Sequence, residues 1–150
     1  MVRLNKPQRL GGKNMIKLIV GGKGSGKTKK IIDLVKGAAE EEKGNVVCVV
    51  KGTSLNFDIP YSVRLINVED YVVDGYQGLF GFVSGLHAGN YDISCIFIDS
   101  IYKIVDDTDP AKVEKFMDQL ESFAEKHSVK FTVSVSEEED VLPEGLKKYL

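Results

Sequence analysis

The sequence predicts an α/β sandwich built on a mainly parallel sheet. Three observations lead there. Short apolar runs such as VVCVV and ISCIFI are continuous rather than alternating, as in strands covered on both faces. Between such runs lie stretches whose apolar residues recur at helical spacing. Strand-type and helix-type segments then alternate along the chain, the order that gives parallel pairing through crossovers.

The elements follow in chain order. MIKLIV, residues 15–20, is a short apolar strand. Residues 27–42 make a helix, with Ile31, Leu34, Val35 and Ala38 on one face and charges opposite. Lys43, Gly44 and Asn45 stop it, and residues 46–50 are a buried strand rich in β-branched side chains. A loop over 51–60 leads to a weaker strand near VRLINV, and residues 93–98 form another apolar strand. Asp109 and Pro110 supply the N-cap and first position of a helix. Its apolar stripe is Val113, Phe116, Met117, Leu120, Phe123 and Ala124. Residues 129–135 are the last strand, and the acidic EEED loop and a short helix near 144–149 complete the order.

The 150 residues suit one domain, expected over 15–150. Apolar content of 43% and charged content of 28% are ordinary for a globular protein. No apolar run approaches the ~20 residues that span a bilayer. Residues 1–14 have no periodicity, a proline and a double glycine, and read as a flexible basic tail or an upstream extension ahead of Met15. They hold four basic side chains and no acid, so the net charge of −2 for the whole chain becomes −6 from Met15 onward. That sign gives no strong nucleic-acid signal, while a basic arm contacting a partner stays open. Cys48 and Cys95 each sit in an apolar run outside any C-x-x-C pair, which reads as two buried, reduced thiols. With an N-terminus lacking the apolar core of a secretion signal, the expected location is cytoplasmic.

Residues 21–28 read GGKGSGKT, an unbroken match to G-x-x-x-x-G-K-[ST] between a strand and an amphipathic helix. The candidate phosphate-binding residues are Gly21, Gly22, Lys23, Gly24, Ser25, Gly26, Lys27 and Thr28, with Lys29 just inside the helix. Glycines admit backbone torsions closed to other residues and let N–H groups face an anion. The helix N-terminus adds its dipole and its free N–H groups. Lys27 can reach β- and γ-phosphates, and the Thr28 hydroxyl can ligate Mg²⁺.

On these residues the chain resembles the P-loop NTPase superfamily, with residues 21–28 as its Walker A motif. The resemblance implies a three-layer α/β/α P-loop NTPase fold that binds ATP and Mg²⁺. Ile96, Phe97 and Ile98 followed by Asp99 resemble a Walker B strand. That likeness implies that Asp99 organises Mg²⁺ together with Thr28, and that Lys27 and Asp99 serve catalysis. From Met15 onward the chain also looks like short bacterial P-loop proteins labelled twitching-motility ATPases, without the acidic and histidine boxes of pilus-retraction motors. Partition-type ATPases carry a second lysine beside the first loop glycine; here that position is Gly22, and Lys23 falls one place later.

The groups that would drive turnover are less plain. Many P-loop ATPases place Glu after the Walker B Asp, where this chain has Ser100. Glu69 or Asp70, after VRLINV, are candidates for a catalytic acid, and both also read as cap or loop residues. Related ATPases often carry a polar γ-phosphate sensor on the last strand, where this chain has Thr132, Ser134 and Ser136; Ser134 and Ser136 share one strand face. Arg64 is the sole arginine past the tail and reads as a structural or surface residue, which leaves open an arginine or lysine donated by a partner to the transition state. No N-K-x-D pattern follows the later strands, which favours ATP over GTP.

In the segment 75–89, Gly78, Gly81, Gly85 and Gly89 fall at helical spacing. Each interior glycine costs a helix about 1 kcal/mol against alanine. Close packing on the sheet, a non-helical loop, and a docking face for a protein partner or second subunit are all open readings. His87 reads as a helix-end or surface residue, far from His127 in sequence and without ligand spacing, so no metal beyond Mg²⁺ is expected. The expected function is Mg·ATP binding with slow or partner-stimulated hydrolysis. The alternatives are a nucleotide-dependent binding or switch module without useful turnover, and a small-molecule kinase, which the missing arginine-rich lid disfavours.

Overall fold

A computed structural model describes residues 15–150, so the expected basic tail over 1–14 lies outside the described residues. The elements are β1 (Ile16–Gly21), α1 (Lys27–Glu41), β2 (Asn45–Val50), β3 (Val63–Asn67), α2 (Gly75–Gly89), β4 (Ile93–Ile98), α3 (Ile101–Val105), α4 (Pro110–His127), β5 (Lys130–Ser136) and α5 (Glu144–Lys147). The five strands form one all-parallel sheet in the order β1-β5-β4-β2-β3, giving a mixed α/β architecture.

Alternation along the strands sends successive side chains to opposite faces. One face presents Ile19, Val46, Cys48, Val50 and Phe97 to Ile31 and Val35 of α1, and to Leu55 and Ile59 of the β2–β3 connection. The opposite face presents Leu18, Val49, Ile96, Ile98 and Val133 to Leu79 and Val83 of α2 and to Phe116, Met117 and Leu120 of α4. Each fully buried side chain of this size contributes about 1.5–3 kcal/mol relative to exposure. The β2–β3 connection therefore covers its face without a helix, through two anchoring apolar residues.

The helical stripes match the sequence reading. Asp109 caps α4 through a hydrogen bond of 3.0 Å from the Ala111 N–H, and Pro110 begins the helix. Strand limits agree to within a residue. The short helix α3, directly after β4, was not legible, because five residues are too few for periodicity to register. Segment 75–89 is helical rather than a loop, with Tyr76, Leu79 and Val83 buried. Close packing on the sheet does not explain its outer glycines. A Cβ at Gly81, Gly85 or Gly89 would meet no atom within 4 Å. No helix among the described residues is long and apolar enough to cross a membrane.

The strand order matters most for function. β5 lies between β1 and β4, with Gly21 opposite Ser136 and Ile98 opposite Val133. The C-terminal ends of these three strands, and the loops leaving them, therefore share one rim of the sheet.

Candidate functional site

The loop after β1 turns on glycines with left-handed torsions, φ 79° at Gly24 and 87° at Gly26. Neither would place a Cβ against any atom within 4 Å, so the backbone there faces open space. Gly26 is the N-cap of α1, and the Lys30 N–H is the first in that helix to find its carbonyl, on Gly26 at 3.1 Å. The N–H groups of Lys27, Thr28 and Lys29 donate to no acceptor among the described residues, as expected for a first helical turn. Within the loop the Ser25 N–H bonds Gly22 O at 3.2 Å, and the Lys27 ammonium donates to the same carbonyl at 3.0 Å. Lys27 is thus held over the loop, aimed back along it.

Across the rim, Asp99 leaves β4 nearly buried, at 7% exposure. Its N–H bonds Val49 O at 3.0 Å, which fixes the backbone to β2. One carboxylate oxygen accepts the Ser134 hydroxyl at 2.7 Å; the other accepts the Thr28 hydroxyl at 3.4 Å. Ser134 is fully buried and also accepts the Ser100 N–H at 2.7 Å. Ser100 sits at φ 60°, ψ 64°, a left-handed conformation that costs a non-glycine residue about 1–3 kcal/mol. The strained backbone and the Ser134 hydroxyl together fix the place where the chain leaves β4 and enters α3.

Between these walls is an open cleft of about 1020 Å³. It is lined by Lys23, Gly24, Gly26, Lys27, Thr28 and Lys29 of the loop and first helical turn, and by Ser100, Tyr102, Lys103, Asp106, Thr108, Ser136 and Glu137. Lys23, Lys27, Lys29 and Lys103 form no ion pair among the described residues. The Tyr102 hydroxyl donates to the Glu137 carboxylate at 3.0 Å. Burial first, and then that carboxylate, pushes the Tyr102 phenol well above its ordinary range, so it stays a neutral donor.

Unpaired lysines, free helical N–H groups and open space beside left-handed glycines suit an anionic chain of phosphates. A hydroxyl and a carboxylate meeting at its edge, Thr28 and Asp99, form an oxygen-donor pair of the kind Mg²⁺ takes alongside phosphate oxygens and water. Of the residues expected from sequence, the loop, Lys27, Thr28, Asp99 and Ser134 are brought together. Glu69 and Asp70 are not. They occupy a 3-10 turn after β3, with β2 between that strand and β4, and neither lines the cleft. The Glu69 N–H instead donates to the side chain of Asn67, which caps the turn, at 3.0 Å.

Sequence reasoning missed Tyr102, Lys103 and Glu137. Glu137 follows the last strand by one residue, and the β1–β5 pairing carries it to the loop. That neighbourhood depends on strand order, which the local pattern does not contain. Family models give no match to the chain, and the curated proteins give none either.

Proposed function

We propose that the chain binds an Mg·nucleoside triphosphate, ATP in preference to GTP, in a P-loop NTPase fold, and hydrolyses it slowly or under a partner's stimulus. The observation that carries the reading is the convergence of Lys27, Thr28, Asp99 and Ser134 at a loop of left-handed glycines. Free N–H groups at the start of α1 and the Lys27 ammonium would hold the phosphates. Thr28 and Asp99 would hold Mg²⁺, which would supply neutralisation of the phosphate charge. Lys103, which also lines the cleft, offers the cation that the sequence lacks in arginine. Glu137, which lines the cleft and accepts a hydrogen bond from Tyr102, would polarise the attacking water in place of Glu69.

A second reading is a nucleotide-dependent binding module without useful turnover, docking a protein partner or second copy through 75–89. One observation favours it. The residue after Asp99 is a serine whose N–H is committed to Ser134, so no carboxylate extends that strand toward the cleft. Calorimetry with ATP, with and without Mg²⁺, tests binding in the wild type and in Lys27→Ala. Tight Mg-dependent binding that weakens at least about tenfold in the variant is expected. Equal heats from the two proteins overturn the assignment. Phosphate release then separates the readings: turnover lost in Lys27→Ala and Glu137→Gln supports hydrolysis, and none in any of the three proteins, with or without candidate partners, leaves the binding module.

A further inference from the structure

The sheet has two edges, and the chain closes one of them itself. Along β1 the Leu18 N–H donates to Tyr149 O at 2.8 Å, and Leu150 and Glu139 lie beside the same strand. Along β3, the other terminal strand, no described segment pairs with the outer side. The Val63 N–H is taken by Pro60 O at 3.0 Å, and alternation then turns the backbone groups of Leu65 and Asn67 outward. Such an edge is a template for another strand. Exposed apolar residues gather at its ends: Tyr61 before β3 is fully exposed at 108%, and Val72 after it at 93%, with Tyr71 half exposed.

Charge along this edge is opposite at its two ends. Arg64 is exposed near the start and forms no ion pair among the described residues. Glu69 and Asp70 stand exposed just past the end. A strand basic at one end and acidic at the other complements an antiparallel copy of itself.

We propose that β3 pairs antiparallel with β3 of a second copy of this chain, about a twofold axis at Ile66, making one continuous sheet across a dimer. Arg64 of each copy then faces the Glu69 and Asp70 end of the other, and Tyr61 lies beside Tyr71 and Val72. Twofold symmetry forms each contact twice. The dimer leaves the phosphate loop free, because β5, β4 and β2 lie between β1 and β3. It therefore stands independently of nucleotide binding.

Sedimentation equilibrium of the full chain over a concentration series tests this. The expected mass is twice the 16.6 kDa of one chain. Arg64→Glu alone, and Glu69→Lys with Asp70→Lys, each place like charges across both contacts. Each variant is expected to dissociate at least about tenfold more readily. Mixing the two variants in equal amounts places opposite charges across both contacts again and restores the dimer. Recovery on mixing cannot come from a misfolded chain, and the wild-type mass decides the matter independently of any variant. A wild-type monomer throughout, including one that takes up an extended foreign peptide along β3, overturns the proposal. So does a dimer indifferent to both variants, or one that fails to return on mixing.

Discussion

Replacing Ser134 with alanine removes one hydroxyl that joins two strand ends. Its oxygen accepts the Ser100 N–H, and its O–H donates to Asp99, both at 2.7 Å. The side chain has no exposure, so water does not substitute for it. A hydrogen bond to a charged group is worth about 1.5–3 kcal/mol, and a buried donor left unpaired costs about 1–3 kcal/mol. The two share an atom and do not add fully, which places the expected loss near 3 kcal/mol. Domains of this size have about 5–15 kcal/mol in total, so the loss is large. With a urea slope of about 2 kcal/mol/M, the unfolding midpoint should fall by about 1.5 M at unchanged slope. A double-mutant cycle with Asp99→Ala should return a coupling of about 1–2 kcal/mol. A midpoint shift under about 0.3 M, or effects that add to within about 0.5 kcal/mol, would refute the claim that this hydroxyl ties β4 to β5 at the rim.

Three further outcomes follow. Gly26→Ala places a Cβ at φ 87° in open space, so the cost is torsional alone: about 1 kcal/mol, or some 2–4 °C in the thermal midpoint. Though exposed, His127 is held below the usual histidine range, first by partial desolvation against its ring neighbours and then by His87 and Lys126, and the two imidazole rings lie 4.9 Å apart. The unfolded chain therefore takes up that proton first; this share of stability is full above the unfolded pKa of about 6.5 and is lost as pH falls toward the depressed folded value. Thermal midpoints should drop on acidification through this range, and less steeply in His87→Asn. Burial pushes the Cys48 and Cys95 thiols up to about 12, so a thiol reagent near neutral pH should label neither until the protein unfolds.

Much of this molecule is written locally. Continuous β-branched runs gave β2 and β4, because a strand covered on both faces has no need to alternate. Asp109 and Pro110 marked the start of α4 because capping is decided by neighbours in sequence. The glycine-rich turn into α1 was legible for the same reason, as its glycines, lysine and threonine lie within eight residues. Glu69 shows the limit. It stands just past a strand, as Asp99 does, and nothing within a few residues tells the two apart. Their difference is that β2 separates β3 from β4, while β5 joins β4 to β1.

The inserted strand explains why the site has the size it does. Neighbouring strands are about 4.8 Å apart, so placing β5 between β1 and β4 opens about 10 Å between the end of the loop strand and Asp99. Across that gap the Thr28 hydroxyl, in the first turn of α1, still reaches the Asp99 carboxylate at 3.4 Å. The middle strand must end in a side chain short enough to leave the gap open and polar enough to satisfy Asp99. Ser134 meets both conditions, and the next residue on its face, Ser136, lines the cleft itself. Glu137 comes one residue later, where β5 has left the sheet beside Gly21. A carboxylate one strand away from the loop glycines lines the cleft beside them, whereas one beyond β2 does not. The strand order thus puts the proposed water-polarising carboxylate at the end of β5 rather than after β3.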